Sequence, residues 1–172
     1  MECKVSLVVA PSGSGKDYAV DFLCKYFRFK KVISRTTRKP RYDGEDTHIF
    51  VTYRQASKEF NREDVIAKTI YNKEKYYTLP EDLIDKDFYI IDVQGINSMD
   101  KNNYSKVIFI KPNVFRRFLN MRKRGDSFKN ILTRLFVDRK VFKGFKGDLN
   151  FKNSNQFIDY IVAEQEKKSK NV

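Results

Sequence analysis

Apolar residues along this chain alternate between two spacings. Residues 4–9 form a short, continuous, β-branched run, the pattern of a parallel strand buried on both faces. Tyr18, Ala19, Phe22, Leu23 and Tyr26 then recur at helical spacing, predicting a helix over 17–27. Runs at 31–34, 88–91, 107–110 and 148–152 predict further strands. Phe60, Val65 and Ile66 predict a small helix and a strand within 51–70, and 70–77 a hairpin-like excursion turning at Asn72-Lys73. Pro80 followed by Glu81 and Asp82 opens a short helix, because proline suits a first turn and acids complement the helix dipole there. Two helices follow. The first, 114–124, carries Phe115, Phe118, Leu119 and Met121 on its expected inward side and is broken by Gly125. The second, 128–142, carries Ile131, Leu132, Leu135 and Phe136. A closing amphipathic helix over 155–168 turns Phe157, Ile158, Ile161 and Val162 inward, and the Lys-rich tail from Lys167 is expected to fray. Strands alternating with helices predict an α/β fold with a parallel sheet. With no repeat and no linker, 172 residues make one domain.

The junction of the first strand and first helix reads A-P-S-G-S-G-K-D, Ala10 to Asp17. A glycine-rich loop between strand and helix is the context of a phosphate-binding loop. Gly13 and Gly15 can adopt backbone angles closed to other residues, so successive N–H groups turn inward around phosphate oxygens, with Ser12 and Ser14 between and beside them. The helix N-terminus adds partial positive charge, and Lys16 adds a full one. The pattern departs from G-x-x-x-x-G-K-[ST] twice. Ala10 replaces the first glycine, and Asp17 replaces the hydroxyl that usually meets Mg²⁺.

Charge sharpens the picture. The chain carries 35 Lys and Arg against 22 Asp and Glu, a net charge of +13, which points to an anionic partner. Residues 101–147 alone hold 14 Lys and Arg against Asp126 and Asp138, a net +12. A second basic segment, S-R-T-T-R-K-P-R at 34–41, joins four cations to three hydroxyls around Pro40, a composition suited to a compact anion. Cys3 and Cys24 have no metal-ligand spacing and suggest a reduced, intracellular protein. The single histidine, His48, argues against a His-based zinc site. M-E-C-K runs straight into the first strand, leaving no room for a signal peptide, and no apolar run reaches membrane-spanning length. A cytoplasmic location is therefore expected.

In order along the chain, the phosphate loop, T-T-R-x-P-R, Gly44-Glu45-Asp46, Phe50-Val51, Tyr76-Tyr77, Asp92-Val93-Gln94-Gly95, Arg124-Gly125-Asp126, and Asp148 with Asn153 resemble the guanylate kinases. The resemblance implies a three-layer P-loop fold with a parallel central sheet (1–34, 80–114 and 146–172), an inserted acceptor-binding subdomain (35–79) and a helical lid (115–145). It implies ATP as donor, with Mg²⁺, held by Ser12, Gly13, Ser14, Gly15, Lys16 and Asp17, and with Asn153 near the adenine. Arg38 and Arg41, with Ser34 beside them, would hold the acceptor phosphate; His48 takes a position where the family has a tyrosine, and Tyr77 matches a second. Between arginines, His48 is expected to be protonated. Asp92, at a strand's C-terminal end, would lie in the ligand crevice, near the metal or the acceptor, or simply cap the next turn. Arg124 and Arg134 match the lid arginines that close on the transferring phosphoryl group.

The resemblance thus implies an ATP-dependent nucleoside monophosphate kinase, with GMP or dGMP as the family's default acceptor. Two features set it apart from a dedicated guanylate kinase. Where the family reads guanine with a carboxylate and a hydroxyl, this chain aligns Ala67 and Leu79. The G-K-D motif, together with Gly44 to Ile49, also resembles ribose 1,5-bisphosphate phosphokinases. A non-catalytic phosphate-binding module is a further alternative, although such domains typically lose the phosphate loop that Lys16 retains. A nucleic-acid partner rests on charge alone, without the aromatic pattern of a single-strand reader. A monomer or a homodimer fits equally well.

Overall fold

A computed structural model describes residues 4–170. Four parallel strands form the central sheet in the order β6-β1-β7-β8, with β1 at Val5–Val9, β6 at Phe88–Ile90, β7 at Tyr104–Ile110 and β8 at Leu149–Phe151. β1 pairs on both edges, in register Leu7 to Tyr89 and Leu7 to Val107, which is why all of its five residues but Ser6 are apolar. On one face Val8 packs with Ala19, Val20 and Leu23 of α1 (Lys16–Phe27) and with Phe157, Ile158 and Ile161 of α6 (Ser154–Lys170). On the other, Leu7 and Val9 meet Tyr89, Ile91, Phe109, Met99 and Phe142. Helices thus cover both faces of a parallel sheet, the α/β fold that the alternating pattern predicts, in the three layers that the resemblance implies.

The inserted segment builds a second sheet, β3-β2-β5-β4, from β2 (Arg35–Thr36), β3 (Ile49–Phe50), β4 (Ala67–Tyr71) and β5 (Glu74–Thr78). β4 and β5 form the expected hairpin. Asn72 and Lys73 both take positive φ, 50° and 66°, the conformation of a two-residue turn whose twist matches the strands. α2 (Tyr53–Glu59) closes one face of this sheet, with Ala56 and Phe60 packed on Tyr77 and Leu79. A 3-10 turn, Pro80–Leu83, leads back to the central sheet, and α3 (Val93–Ser98) follows β6.

Two helices make up the segment expected to be a lid. α4 (Val114–Lys123) is capped by Asn113, and α5 (Phe128–Val141) by Ser127; Gly125 turns the chain between them at φ 92°. Their inward faces are smaller than the apolar pattern suggests. On α4, Arg117 and Met121 are buried, whereas Phe115 and Leu119 are exposed; on α5, Ile131 is buried while Leu132 and Phe136 are exposed. α4 meets the phosphate loop, whose outward carbonyls need donors, so a polar face turns in and part of the apolar face turns out.

Two other expectations change. Residues 31–34 contribute a single bridge, Lys31 to Phe88, and the ladder begins at Arg35 in the other sheet, because the chain is already leaving the core there. The tail stays helical from Lys167 through Lys170. Cys3 lies outside the described residues, while Cys24 is free and half-buried, with burial pushing its thiol pKa up. Among the described residues, no helix is long and apolar enough to cross a membrane.

Candidate active site

A cleft of about 1120 Å³ runs along the C-terminal ends of β1 and β6, between the inserted sheet and the two lid helices. Ligands of open α/β sheets bind at such an edge. Its floor is the loop from Ala10 to Asp17. Gly13 and Gly15 have φ 72° and 83°, as a loop of inward amides requires. Gly13 has a second constraint, since a Cβ there would lie 2.6 Å from the Arg117 carbonyl oxygen. The N-cap of α1 is Gly15, which has no side chain; Lys16 N bonds the Ser14 hydroxyl at 3.3 Å, and Ser14, Gly15, Lys16 and Asp17 at this helix start all line the cleft.

Lys16 Nζ lies 3.0 Å from Asp17 Oδ2. The Asp17 side chain is exposed but partly enclosed by the cleft, which works to raise its pKa; Lys16, helped by Lys31, outweighs this and holds the carboxyl below the usual aspartate range. Arg116, Lys123, Arg124 and Arg134 line the cleft from the lid side. Arg124 is bridged to Asp126 at 2.5 Å, which raises its pKa first, and the charge of Asp17 adds to that effect.

The wall opposite the two helices, where the sequence places the acceptor, is built on β4 and β5. Because strand side chains alternate, Ala67, Thr69 and Tyr71 line the cleft together with Tyr76, the cross-strand partner of Thr69. Ser34, Arg41 and His48 complete this wall. His48 Nδ1 is 3.0 Å from Ser34 Oγ, and its ring packs edge-on to Tyr76. Burial first, then the charge of Arg38, lowers the His48 pKa, so this histidine favours its neutral form, against the sequence expectation.

Two predicted acceptor residues lie elsewhere. Tyr77 is 1% exposed and donates its hydroxyl to Glu59 at 2.6 Å in the core under α2. Tyr76, one residue earlier, faces the cleft instead, since adjacent strand residues point to opposite faces. Arg38 is spent on Glu45, with bonds of 2.8 and 3.2 Å, and does not line the cleft. Arg38, the Arg41 amide and Thr47 hold the Glu45 carboxyl far below the usual range. This arginine is therefore a brace of the loop that presents Arg41.

Asp92 fills two roles, lining the cleft and capping α3 through Gly95 N at 2.6 Å, while Thr69 Oγ1 lies 3.2 Å away. Asn153 caps the start of α6 through Gln156 N, and its neighbours Ser154 and Asn155 reach the cleft. Leu79 is buried with Phe60 and does not touch the cleft; Glu74 is held by Thr37 and Tyr53. Ser12, Gly13, Ser14, Gly15, Lys16, Asp17, Ser34, Arg41, His48, Asp92, Arg124 and Arg134 are thus brought together as the sequence predicts. Sequence reasoning missed Tyr76, Thr69, Arg117, Asn120 and Asp138. Period-two alternation could have offered Tyr76 as an alternative to Tyr77; nothing local marks the others.

Among the described residues no group of three metal-ligating side chains forms. Asp17 and Asp92, both on the cleft wall, suit a Mg²⁺ ion that takes one or two carboxylates plus phosphate oxygens and water.

A family model for guanylate kinase matches residues 2–155. No curated protein matches the chain by sequence. Among 72 matching solved chains, the crystal structure of guanylate kinase from Anaplasma phagocytophilum aligns with a TM-score of 0.63 at 17% identity. The alignment covers 98% of this chain and 87% of that one, a likeness of fold.

Proposed function

This chain belongs to the guanylate kinase family, and from that premise we propose that it transfers the γ-phosphoryl of ATP to a nucleoside monophosphate. The observation that carries the reading is the convergence, in one cleft, of the phosphate loop with Lys16, the acceptor wall of Ser34, Arg41, His48 and Tyr76, and the lid cations Arg124 and Arg134. Phosphoryl transfer asks the protein for positioning and charge neutralisation more than for covalent chemistry. The amides of Gly13 to Lys16 and the Lys16 ammonium would hold the β- and γ-phosphates. Arg124 and Arg134 would offset charge on the transferring group, and lid closure would exclude water, the competing acceptor. Arg41, the Ser34 hydroxyl and the Tyr76 hydroxyl would hold the acceptor phosphate, with neutral His48 donating one ring N–H. The acceptor is already a nucleophile, so no general base is required. Mg²⁺ bound with the nucleotide, at Asp17 and Asp92, would neutralise phosphate charge.

The acceptor wall bears on specificity. Ala67 offers no hydrogen bond to a base, and Leu79 is away from it. Weak discrimination among bases is therefore proposed, and ribose 1,5-bisphosphate remains a second acceptor to compare. The test is ATP turnover with GMP, AMP, CMP, UMP, their deoxy forms and ribose 1,5-bisphosphate. A GMP preference of about 10⁴ would signal a dedicated hydrogen-bonding site and overturn the specificity reading. Lys16→Ala is expected to lower kcat by at least about 100-fold with the fold intact, the scale of losing one preorganised donor to transition-state charge. Normal turnover in that variant would remove the kinase reading.

A further inference from the structure

The floor of the cleft is held from above. Asp138, on α5, accepts a hydrogen bond from Ser12 N at 2.9 Å and is ion-paired with Arg117 of α4. Arg117 Nε donates in turn to the Ser12 carbonyl at 2.8 Å, and Asn120 Nδ2 donates to the Gly13 carbonyl at 2.8 Å. Both polar ends of the Ser12 residue are thus engaged by one Arg–Asp pair, and the next carbonyl by a third side chain. The pair is withdrawn from solvent, with side chains 7% and 13% exposed. A buried pair of this kind adds little net stability over well-packed apolar residues, so its presence is better explained by the geometry it imposes. Asp138 also lies one helical turn beyond Arg134, and both line the cleft.

We propose that Asp138 and Arg117 are positioning residues for phosphoryl transfer. Together they set the Ser12-Gly13 backbone that shapes the phosphate loop, and Asp138 anchors α5 so that Arg134 is aimed at the same phosphates. The two lid helices are therefore tied to the loop itself, and the orientation of the loop amides is coupled to the placement of the lid arginine. This rests on the kinase reading, and it adds residues whose polar atoms are engaged by the loop backbone and by each other. Its signature is one-sided. Ser12 and Arg134 belong to the donor half of the cleft, so disturbing the pair harms ATP use and leaves the acceptor wall of Ser34, Arg41, His48 and Tyr76 alone.

The test is steady-state kinetics with direct ATP titration by calorimetry and a melting curve for each variant. Asp138→Ala is expected to raise the KM for ATP and lower kcat, each by about 10-fold or more, with the acceptor KM within about 2-fold of wild type. Asp138→Asn keeps an oxygen for Ser12 N and is expected to recover most of the ATP affinity. Asp138→Ala leaves Arg117 buried and unpaired, so the paired variant Arg117→Met/Asp138→Leu separates packing from positioning. It is expected to melt near wild type yet keep the raised KM for ATP. Wild-type ATP kinetics in the paired variant, or equal losses for ATP and acceptor in Asp138→Asn, would overturn the proposal while leaving the kinase reading standing. A wild-type chain that neither binds ATP nor turns it over would overturn both.

Discussion

Tyr76 and Tyr77 stand side by side on β5, so their side chains point to opposite faces of the small sheet. Tyr76 meets His48 at the cleft, whereas Tyr77 bonds Glu59 beneath α2. Removing either hydroxyl therefore has a different consequence. Tyr76→Phe is expected to raise the acceptor KM by about 5- to 10-fold, the worth of roughly one hydrogen bond, with an unchanged melting temperature. Tyr77→Phe is expected to lower stability by about 1 kcal/mol, read by denaturant titration, with the acceptor KM unchanged. The reverse pattern would return the phosphate contact to Tyr77. Both tyrosines were visible in the sequence as a motif; which of them faces the ligand depends on the strand's register against Arg35 and Lys68, which no local pattern reveals.

The hairpin β4–β5 shows what one element contributes. Its turn places Asn72 and Lys73 in the left-handed region, a good position for asparagine and a poor one for lysine. Lys73→Gly is expected to stabilise the protein by about 0.5–1 kcal/mol after the extra unfolded-state freedom of glycine is offset. A rise in melting temperature with unchanged kinetics is the expected result; a fall would mean that the lysine side chain makes a contact worth more than the strain. The phosphate loop is the opposite case. There glycine is required twice over at position 13, once by φ and once by the approach of Arg117. The lid helices carry the same lesson. Hydrophobic spacing located α4 and α5 well, but it assigned Phe115 and Leu119 inward because it had no knowledge of a loop offering carbonyls on that side.

At the scale of the whole molecule, part of the net charge of +13 lies on the walls of the cleft. Lys16, Arg41, Arg116, Lys123, Arg124 and Arg134 all line one cleft. Such a field raises the capture rate of anionic substrates and is screened by salt, whose Debye length falls from about 10 Å at 0.1 M to 3 Å at 1 M. The acceptor kcat/KM is therefore expected to fall several-fold over that range while kcat changes little. An equal fall in kcat, with the protein still folded by circular dichroism, would place the cations in chemistry alone rather than in steering.

The chain by itself determined the strand-loop-helix at 5–27, the α/β class, the hairpin turn and the cationic pair of helices after β7, because each is written in short-range terms: periodicity, glycine placement and charge density. Tertiary structure alone decided which of two adjacent tyrosines meets the cleft, that Arg38 is spent on Glu45, that the inward face of α4 carries Arg117 beside Met121, and that Asp138 reaches Ser12. Those outcomes depend on groups far apart in sequence, 126 residues in the case of Ser12 and Asp138, and on which unpaired carbonyl, amide or carboxylate packing leaves opposite a given side chain. A buried polar group must find its partner in space, and the sequence records the group without recording the partner.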